Sequence, residues 1–415
     1  MYGSQEEIRH NLKMFFIDGI SFMPSMALLS VSAVIPYFLE QLDATTFHIA
    51  LATSMPLICV LITQPFFGKI ASHAKVMNKT FSKLLLIQRL SLLVFILLIP
   101  VFSGYNTALI YAFLIFWCIF NVFVGSYGVF FTPLVVRLLP PDKRGTIRGI
   151  GMAIGSFLGV GMSALIPVIL GNIAFPYNYM VIFSMGLFFL LVNVCVFYLM
   201  RQSEDMEPNE PMSMTKYIKG MPSTIKENAP FRAMIMACVF LAIANAILPY
   251  YTLYAIREFS ATDTHIAILA GLAILSGAIA YVGFGYIIDK SGPRLVAVIA
   301  ACLIIASGVL ILSTNSLYLL FAAWMLSNIC NTGTIVSVSL LFADVAPSTK
   351  LPLYVGVYMT ISMAISATVV LLLAPVLESF GFAPIFITVL VCGLLSFLIN
   401  IFVLRKRLTA TARTS

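Results

Sequence analysis

Apolar residues run through this chain in blocks of about twenty or more, and polar or charged residues gather in the short gaps between them. A helix needs a block of that length to cross about 30 Å of hydrocarbon. The blocks predict spans at 13–39, 48–71, 82–102, 108–137, 147–170 and 178–200, and six more after a polar gap, at 231–256, 265–288, 294–313, 317–343, 352–376 and 382–404. Several exceed the crossing length, so tilt or extension into water is expected. The pattern predicts an all-α polytopic membrane protein with twelve transmembrane helices.

The second set repeats the first. Ala44-Thr45-Thr46-Phe47-His48-Ile49-Ala50 and Ala261-Thr262-Asp263-Thr264-His265-Ile266-Ala267 share five of seven residues at an offset of 217, and Gly68 and Gly285 stand the same distance apart. The two tryptophans occur as Trp117-x-x-x-Asn121 and Trp324-x-x-x-Asn328, offset by 207. So long an offset marks two copies of one architectural unit rather than a solenoid, whose periods are about 20 to 50 residues. The expected organisation is a six-helix bundle over 1–200, a linker over 201–230, a second bundle over 231–404 and a basic tail over 405–415. The linker opens on an acidic, proline-containing stretch, and 212–228 could form an amphipathic surface helix.

Composition sharpens the membrane assignment. Of 415 residues, 61% are hydrophobic and only 10% charged, against about 25% charged in ordinary soluble domains, and the mean hydropathy is +1.03. The net charge of +8 would suit nucleic acid if it lay on one face, but the basic residues fall in alternate loops. Arg9 and Lys13, Lys69 to Lys83, Arg137 to Arg148, Lys290 and Arg294, Lys350 and the tail share one side. The other side holds Glu40, Asp43, Glu258, Asp263 and Glu378, with Arg257 its only base. The positive-inside rule makes the first side and both termini cytoplasmic, so no nucleic-acid partner is expected. The first apolar segment is too long for a signal-peptide core, so it is expected to stay in the mature protein. All seven cysteines fall within predicted spans without metal-ligand spacing, and they read as small apolar packing residues. No phosphate loop, metal cluster or nucleophile constellation is present, so no enzyme and no cofactor is expected.

After the eighth span comes Gly285-Tyr-Ile-Ile-Asp289-Lys290-Ser-Gly292-Pro-Arg294. It resembles the signature loop of the major facilitator superfamily, Gly-x-x-x-Asp-(Arg/Lys)-x-Gly-x-(Arg/Lys), at the expected turn of a duplicated twelve-helix chain. Pro140-Pro-Asp142-Lys143-Arg144-Gly145 resembles the family's turn between helices four and five. The first copy of the signature departs from the pattern, with Ser72 in place of the aspartate and Lys75 in place of the second glycine. The resemblance implies a cytoplasmic latch in which Asp289 faces the start of helix five near Arg144 and Arg148, and Arg294 pairs with a carboxylate such as Asp344. Within it, Gly285 would permit close helix approach and Gly292 a tight turn.

The resemblance also implies that helices one, four, seven and ten line a central cavity. Candidate cavity residues are then Asp18, Trp117, Asn121, Asn245, Tyr250, Tyr251, Trp324, Asn328 and Asn331. Each has a duller alternative in inter-helix bonding, packing or an interfacial position. Asp18 lies about 7 to 8 Å along the axis from Lys13, and Arg89 is the one base well inside a span. Neither has a counterpart in the second copy. As coupling candidates they could carry a proton or ligate a cation, or they could form a structural ion pair. His48 and His265 could sense pH, but helix capping explains them more simply. Gly145, Gly149, Gly151, Gly155, Gly159 and Gly161 line helix five for close packing.

The leading expectation is a secondary active transporter that moves a small neutral, zwitterionic or amphipathic organic solute by rocker-switch alternating access, with a proton or sodium ion as co-substrate. It would work as a monomer in the lipid bilayer of a bacterial inner membrane. A passive facilitator or lipid or drug translocator is the alternative within transport, and a non-transporting sensor or assembly factor the alternative outside it. Because Ser72 brings no charge to the first copy, Asp289→Asn is expected to loosen cytoplasmic closure more than Ser72→Ala. The labelling rate of cysteines introduced on that side measures it, and equal rates in the two variants would count against an asymmetric latch.

Overall fold

Inside hydrocarbon an unpaired backbone N–H or C=O costs several kcal/mol, so a spanning segment has to satisfy its own backbone, and the helix does so locally. The structure, a computed structural model, describes residues 4–202, 229–313, 316–343 and 351–411. Those residues hold fifteen helices and no strand. In the first half they are α1 (Gln5–Leu28), α2 (Val34–Glu40), α3 (Thr46–His73), α4 (Met77–Leu98), α5 (Asn106–Val124), α6 (Ser126–Leu138), α7 (Pro141–Asn172) and α8 (Tyr177–Leu199). In the second they are α9 (Ala229–Ala246), α10 (Leu248–Phe259), α11 (Asp263–Ser291), α12 (Pro293–Ser313), α13 (Leu317–Ala343), α14 (Leu351–Phe380) and α15 (Ala383–Thr411). The expected helix over 212–228 lies outside the described residues.

Eleven stretches among the described residues are long and apolar enough to cross a membrane, with α5 and α6 forming one and α9 and α10 another. The twelfth span of the fold is α1 with α2. It fails a simple apolarity test because Glu6, Glu7, Arg9, Lys13 and Asp18 dilute it and residues 29–33 interrupt it.

Three predicted spans are therefore broken rather than continuous, and each break has a local cause. Between α1 and α2 the Ser30 hydroxyl accepts from Ala33 N at 3.2 Å and its carbonyl from Ile35 N at 3.0 Å. At Gly125, between α5 and α6, freed carbonyls are taken by hydroxyls: Thr63 donates to Val122 O at 2.8 Å and Ser126 to Phe123 O at 2.7 Å. Between α9 and α10, Pro249 brings no N–H, which deprives the Asn245 carbonyl of its helical donor. Ser30 and Ile247 are 217 residues apart, so the first and seventh spans break at the same point of the repeat.

The repeated Ala-Thr-x-x-His-Ile-Ala segment proves to be a helix start. Asp43 and Ser260, also equivalent, turn the chain with φ of 58° and 50°. Thr45 caps α3 by accepting from His48 N at 3.4 Å, and the two side chains bond at 3.0 Å. In the second copy His265 Nδ1 accepts from Thr262 N at 3.1 Å. Threonine and histidine thus do the work of a capping box, with histidine where glutamate or glutamine usually stands.

By its internal contacts the chain divides into two units, Met1–Pro211 with Ala261–Leu275, and Met212–Ser260 with Ser276–Ser415. In the first, α1 and α7 meet backbone to backbone: a Cβ on Gly155 would lie 2.4 Å from Gly19 O, and one on Gly151 2.8 Å from Phe16 O. Phe38 sits among Phe95, Phe113, Tyr179 and Phe183 with ring centroids 4.8 to 6.2 Å away. In the second unit a Cβ on Gly393 would come within 2.9 Å of Ile304, holding α15 close to α12. Exposed side chains such as Phe157, Val282 and Phe402 give the helices an apolar outer surface suited to acyl chains.

Gly155→Ala is expected to destabilise the protein by about 1 to 3 kcal/mol, because the added methyl meets backbone that cannot yield. Gly161→Ala, whose Cβ would meet nothing within 4 Å, is expected to be neutral or stabilising. Thermal unfolding in detergent compares them, and equal melting temperatures would contradict a close-packed α1–α7 seam.

Candidate functional site

Two charges enter the first unit within the span of the membrane, and neither is cheap to bury. Asp18 on α1 is 9% exposed and Arg89 on α4 only 1%. Both are tied to one turn of α8. Asn193 Nδ2 donates to Asp18 Oδ1 at 3.1 Å and to Ser21 Oγ at 2.8 Å, while Arg89 Nε donates to Leu190 O at 3.3 Å. Arg89 also donates to the Tyr127 hydroxyl at 2.9 Å and, through Nη1, to Gln88 Oε1. Gln88 in turn donates to Phe120 O at 3.0 Å. The two coupling candidates thus sit in neighbouring polar clusters that meet the same turn of α8, Asp18 through Asn193 and Arg89 through Leu190 O. Asn193 Oδ1, fully buried, accepts no hydrogen bond from the described residues.

Ser21, Gln88, Tyr127 and Asn193 were not among the residues singled out from the sequence. Asn193 had a signal to offer, as the one polar side chain in the run Leu190-Leu-Val-Asn193-Val-Cys-Val-Phe197.

The other candidates from the first half are engaged in packing. Trp117 donates to Ala52 O at 2.9 Å and stacks on Phe120, and Asn121 bonds back to Trp117 O at 2.8 Å.

In the second unit Asn328 bonds back to Trp324 O at 3.0 Å, repeating the Asn121 arrangement. The Trp324 ring is fully buried and Asn331 half-buried. Tyr250 donates to Val370 O at 2.6 Å, and Tyr251 bonds Ser307 and Ser327 at 2.9 and 3.2 Å. Asn245, one turn before Pro249, makes a long 3.5 Å bond to Thr334, and its Oδ1 accepts none from the described residues. Within the second unit these polar contacts are made by hydroxyls and amides.

Of the signature loop, Gly292 adopts φ of +83° and its N–H bonds Ile288 O at 2.9 Å, a left-handed helix stop that favours glycine. Lys290 lies over the Tyr286 ring at 6.0 Å, and Arg294 is half-buried. A Cβ on Gly285 would meet nothing within 4 Å, so the close approach expected there is not what the described structure requires. The side chains of Asp289, Arg144, Arg148 and Asp344 lie outside the described residues.

A separate polar group lies in the first unit, at the end of α2. Tyr37, on α2, donates to Asp263 Oδ1 at 2.5 Å. Asp263 opens α11, where the helix dipole favours a carboxylate. Beside it is a cavity of about 550 Å³ lined by Gln41, Asn172, Asn178 and Asp263 among others. Thr46 is the equivalent residue in the first copy, so this carboxylate is a point at which the copies differ.

The fold is shared with solved transporters along nearly its whole length. A bacterial homologue of the iron transporter ferroportin, in an inward-facing state, superposes with a TM-score of 0.71 over 97% of this chain and 99% of that one, at 14% identity. A bacterial homologue of the human lysosomal transporter Spinster gives 0.63 over the same shares at 13% identity. The nucleoside transporter NupG gives 0.69 over 96% of this chain and 99% of that one, at 12%. The sequence profile of the Major Facilitator Superfamily matches residues 233–415. Over its second half the chain carries that superfamily's sequence pattern, and over nearly its whole length it carries the fold of these solved transporters. No curated protein matches it in sequence.

With that fold and its many apolar spans, the protein has the architecture of solute transporters. At identities of 12 to 14% the shared property is the fold, so the chemistry has to come from this chain's own residues. A hydrogen bond to a charged group contributes about 1.5 to 3 kcal/mol. Tyr37→Phe and Asp263→Asn are therefore expected to destabilise non-additively, with a coupling of about 1 kcal/mol or more in a double-mutant cycle. Additive losses would mean that the two side chains do not act together.

Proposed function

We propose that the protein is a secondary active transporter for a small neutral, zwitterionic or amphipathic organic solute, working by alternating access, with Asp18 as the protonatable coupling residue. The observation that carries this reading is the Asp18 network. A carboxylate held in a membrane-spanning segment by the Asn193 amide can change charge without moving far. Protonation would relieve the cost of carrying it through a conformational change, and deprotonation would restore its bonds to Asn193. Few other charges lie at membrane depth, which disfavours a polyanionic cargo. Rocking of 1–200 against 231–404 would expose a shared cavity to each side in turn, in the cytoplasmic membrane of a bacterium and as a monomer.

A second reading is favoured by the oxygen atoms of the same cluster. The Asp18 carboxylate, Ser21 Oγ and the free Asn193 Oδ1 are hard donors of the kind that small cations select, and one similar structure is described as a homologue of an iron transporter. In that case Asp18 would ligate a cation rather than carry a proton.

Reconstituted protein separates the two, using a solute found by thermal-shift screening. One unit of pH gradient is worth about 1.36 kcal/mol per proton, enough for about tenfold accumulation. Wild type is expected to approach that ratio, and Asp18→Asn to equilibrate the solute without concentrating it while still exchanging labelled for unlabelled solute. Gradient-driven accumulation that survives Asp18→Asn would remove Asp18 from coupling. Accumulation driven by a metal or sodium gradient, and indifferent to pH, would favour the cation reading. No movement of any solute by wild type would favour a sensor.

A further inference from the structure

Two cysteines that look unrelated in sequence meet in the first unit. Cys59 on α3 and Cys118 on α5 bring their sulfur atoms to 4.0 Å, and Cys59 Sγ also lies 3.9 Å from Cys118 O. Both are free thiols. The helices that carry them are pinned on either side of the pair: Trp117 Nε1 bonds Ala52 O at 2.9 Å, and Thr63 bonds Val122 O at 2.8 Å. One turn further along, a Cβ on Gly125 would fall 3.1 Å from Gln64 N, so the α3 backbone approaches closely there. The sulfurs lie near van der Waals distance, about 2 Å beyond the length of a disulfide bond.

We propose that Cys59 and Cys118 are an oxidisable dithiol, a modification site that staples α3 to α5 when a lipid-dissolved quinone oxidises it. The surroundings point to an oxidant from the lipid. Cys118 is half-buried between the outward-facing Ile115 and Ile119, which are 58% and 39% exposed, and Ile62, one turn from Cys59, is 58% exposed. In the reaction two S–H bonds break and one S–S bond forms. The two electrons and two protons pass to the quinone, whose carbonyl oxygens become the hydroxyls of a hydroquinone. No net charge remains in the hydrocarbon, where a thiolate would be costly. The staple forms beside Trp117 and one turn from Asn121, on the span that the superfamily's architecture places at the cavity.

The test uses the full chain in liposomes treated with tetramethylbenzoquinone, whose substituted ring carbons resist direct addition of thiols. After unfolding in detergent, free thiols are alkylated and the cysteine peptides mapped. Wild type is expected to lose two of its seven alkylatable cysteines, with Cys59 and Cys118 peptides joined and both recovered after dithiothreitol. Cys59→Ser and Cys118→Ser are expected to keep every remaining thiol. Wild type that keeps all its thiols, or maps either cysteine to a different partner, overturns the proposal, and mapping of wild type decides this even if the variants fold poorly.

Discussion

A peptide group inside hydrocarbon has no water to bond, and that constraint governs the rest of this structure. It makes every described span a helix, and it makes each interruption answerable to a specific donor or acceptor. Ser30 closes the gap between α1 and α2 with its own hydroxyl. Thr63 and Ser126 take carbonyls around Gly125. Pro249 leaves the Asn245 carbonyl without its helical donor, on the same turn as an amide oxygen that accepts nothing from the described residues. Irregular backbone at membrane depth is tolerated where other groups or a cavity can serve it, so broken spans mark where function can be housed.

Lipid is as apolar as leucine, so apolar surface does little to drive one helix against another, and close contact has to come from small residues and polar bonds. The seam between α1 and α7 is the plainest case, with Gly19, Gly151 and Gly155 bringing backbone against backbone. The same economy explains why so many asparagines and hydroxyls bond a carbonyl of their own or a neighbouring helix. Asn121 and Asn328 bond back to the tryptophan one turn earlier, which ties their amides down in the described structure.

Charge is where the two copies part. In the first, Asp18 and Arg89 approach the same turn of α8 through Asn193 and Leu190 O, and Arg89 also bonds the Tyr127 hydroxyl. In the second, the buried polar centre is neutral: Tyr251 with Ser307 and Ser327, and Asn245 with Thr334. Among the described residues the copies thus keep a common scaffold while the buried charges lie in the first half.

The sequence by itself determined the span count, the duplication and the family resemblance, because each is written in residues that are local or that repeat at a fixed offset. Runs of apolar residues answer to the thickness of the bilayer, and the capping threonines and histidines act within one turn of their own helix. Gly292 was legible for the same reason, since a left-handed stop is a property of one residue. What the sequence left undecided was facing. Whether Asp18 looks toward Asn193, whether Trp117 meets a cavity or the Ala52 carbonyl, and whether Cys59 meets Cys118 all depend on how helices far apart in the chain rotate against one another. In an almost uniformly apolar helix the periodic polar stripe that would announce a buried face is missing, so only tertiary packing could choose it.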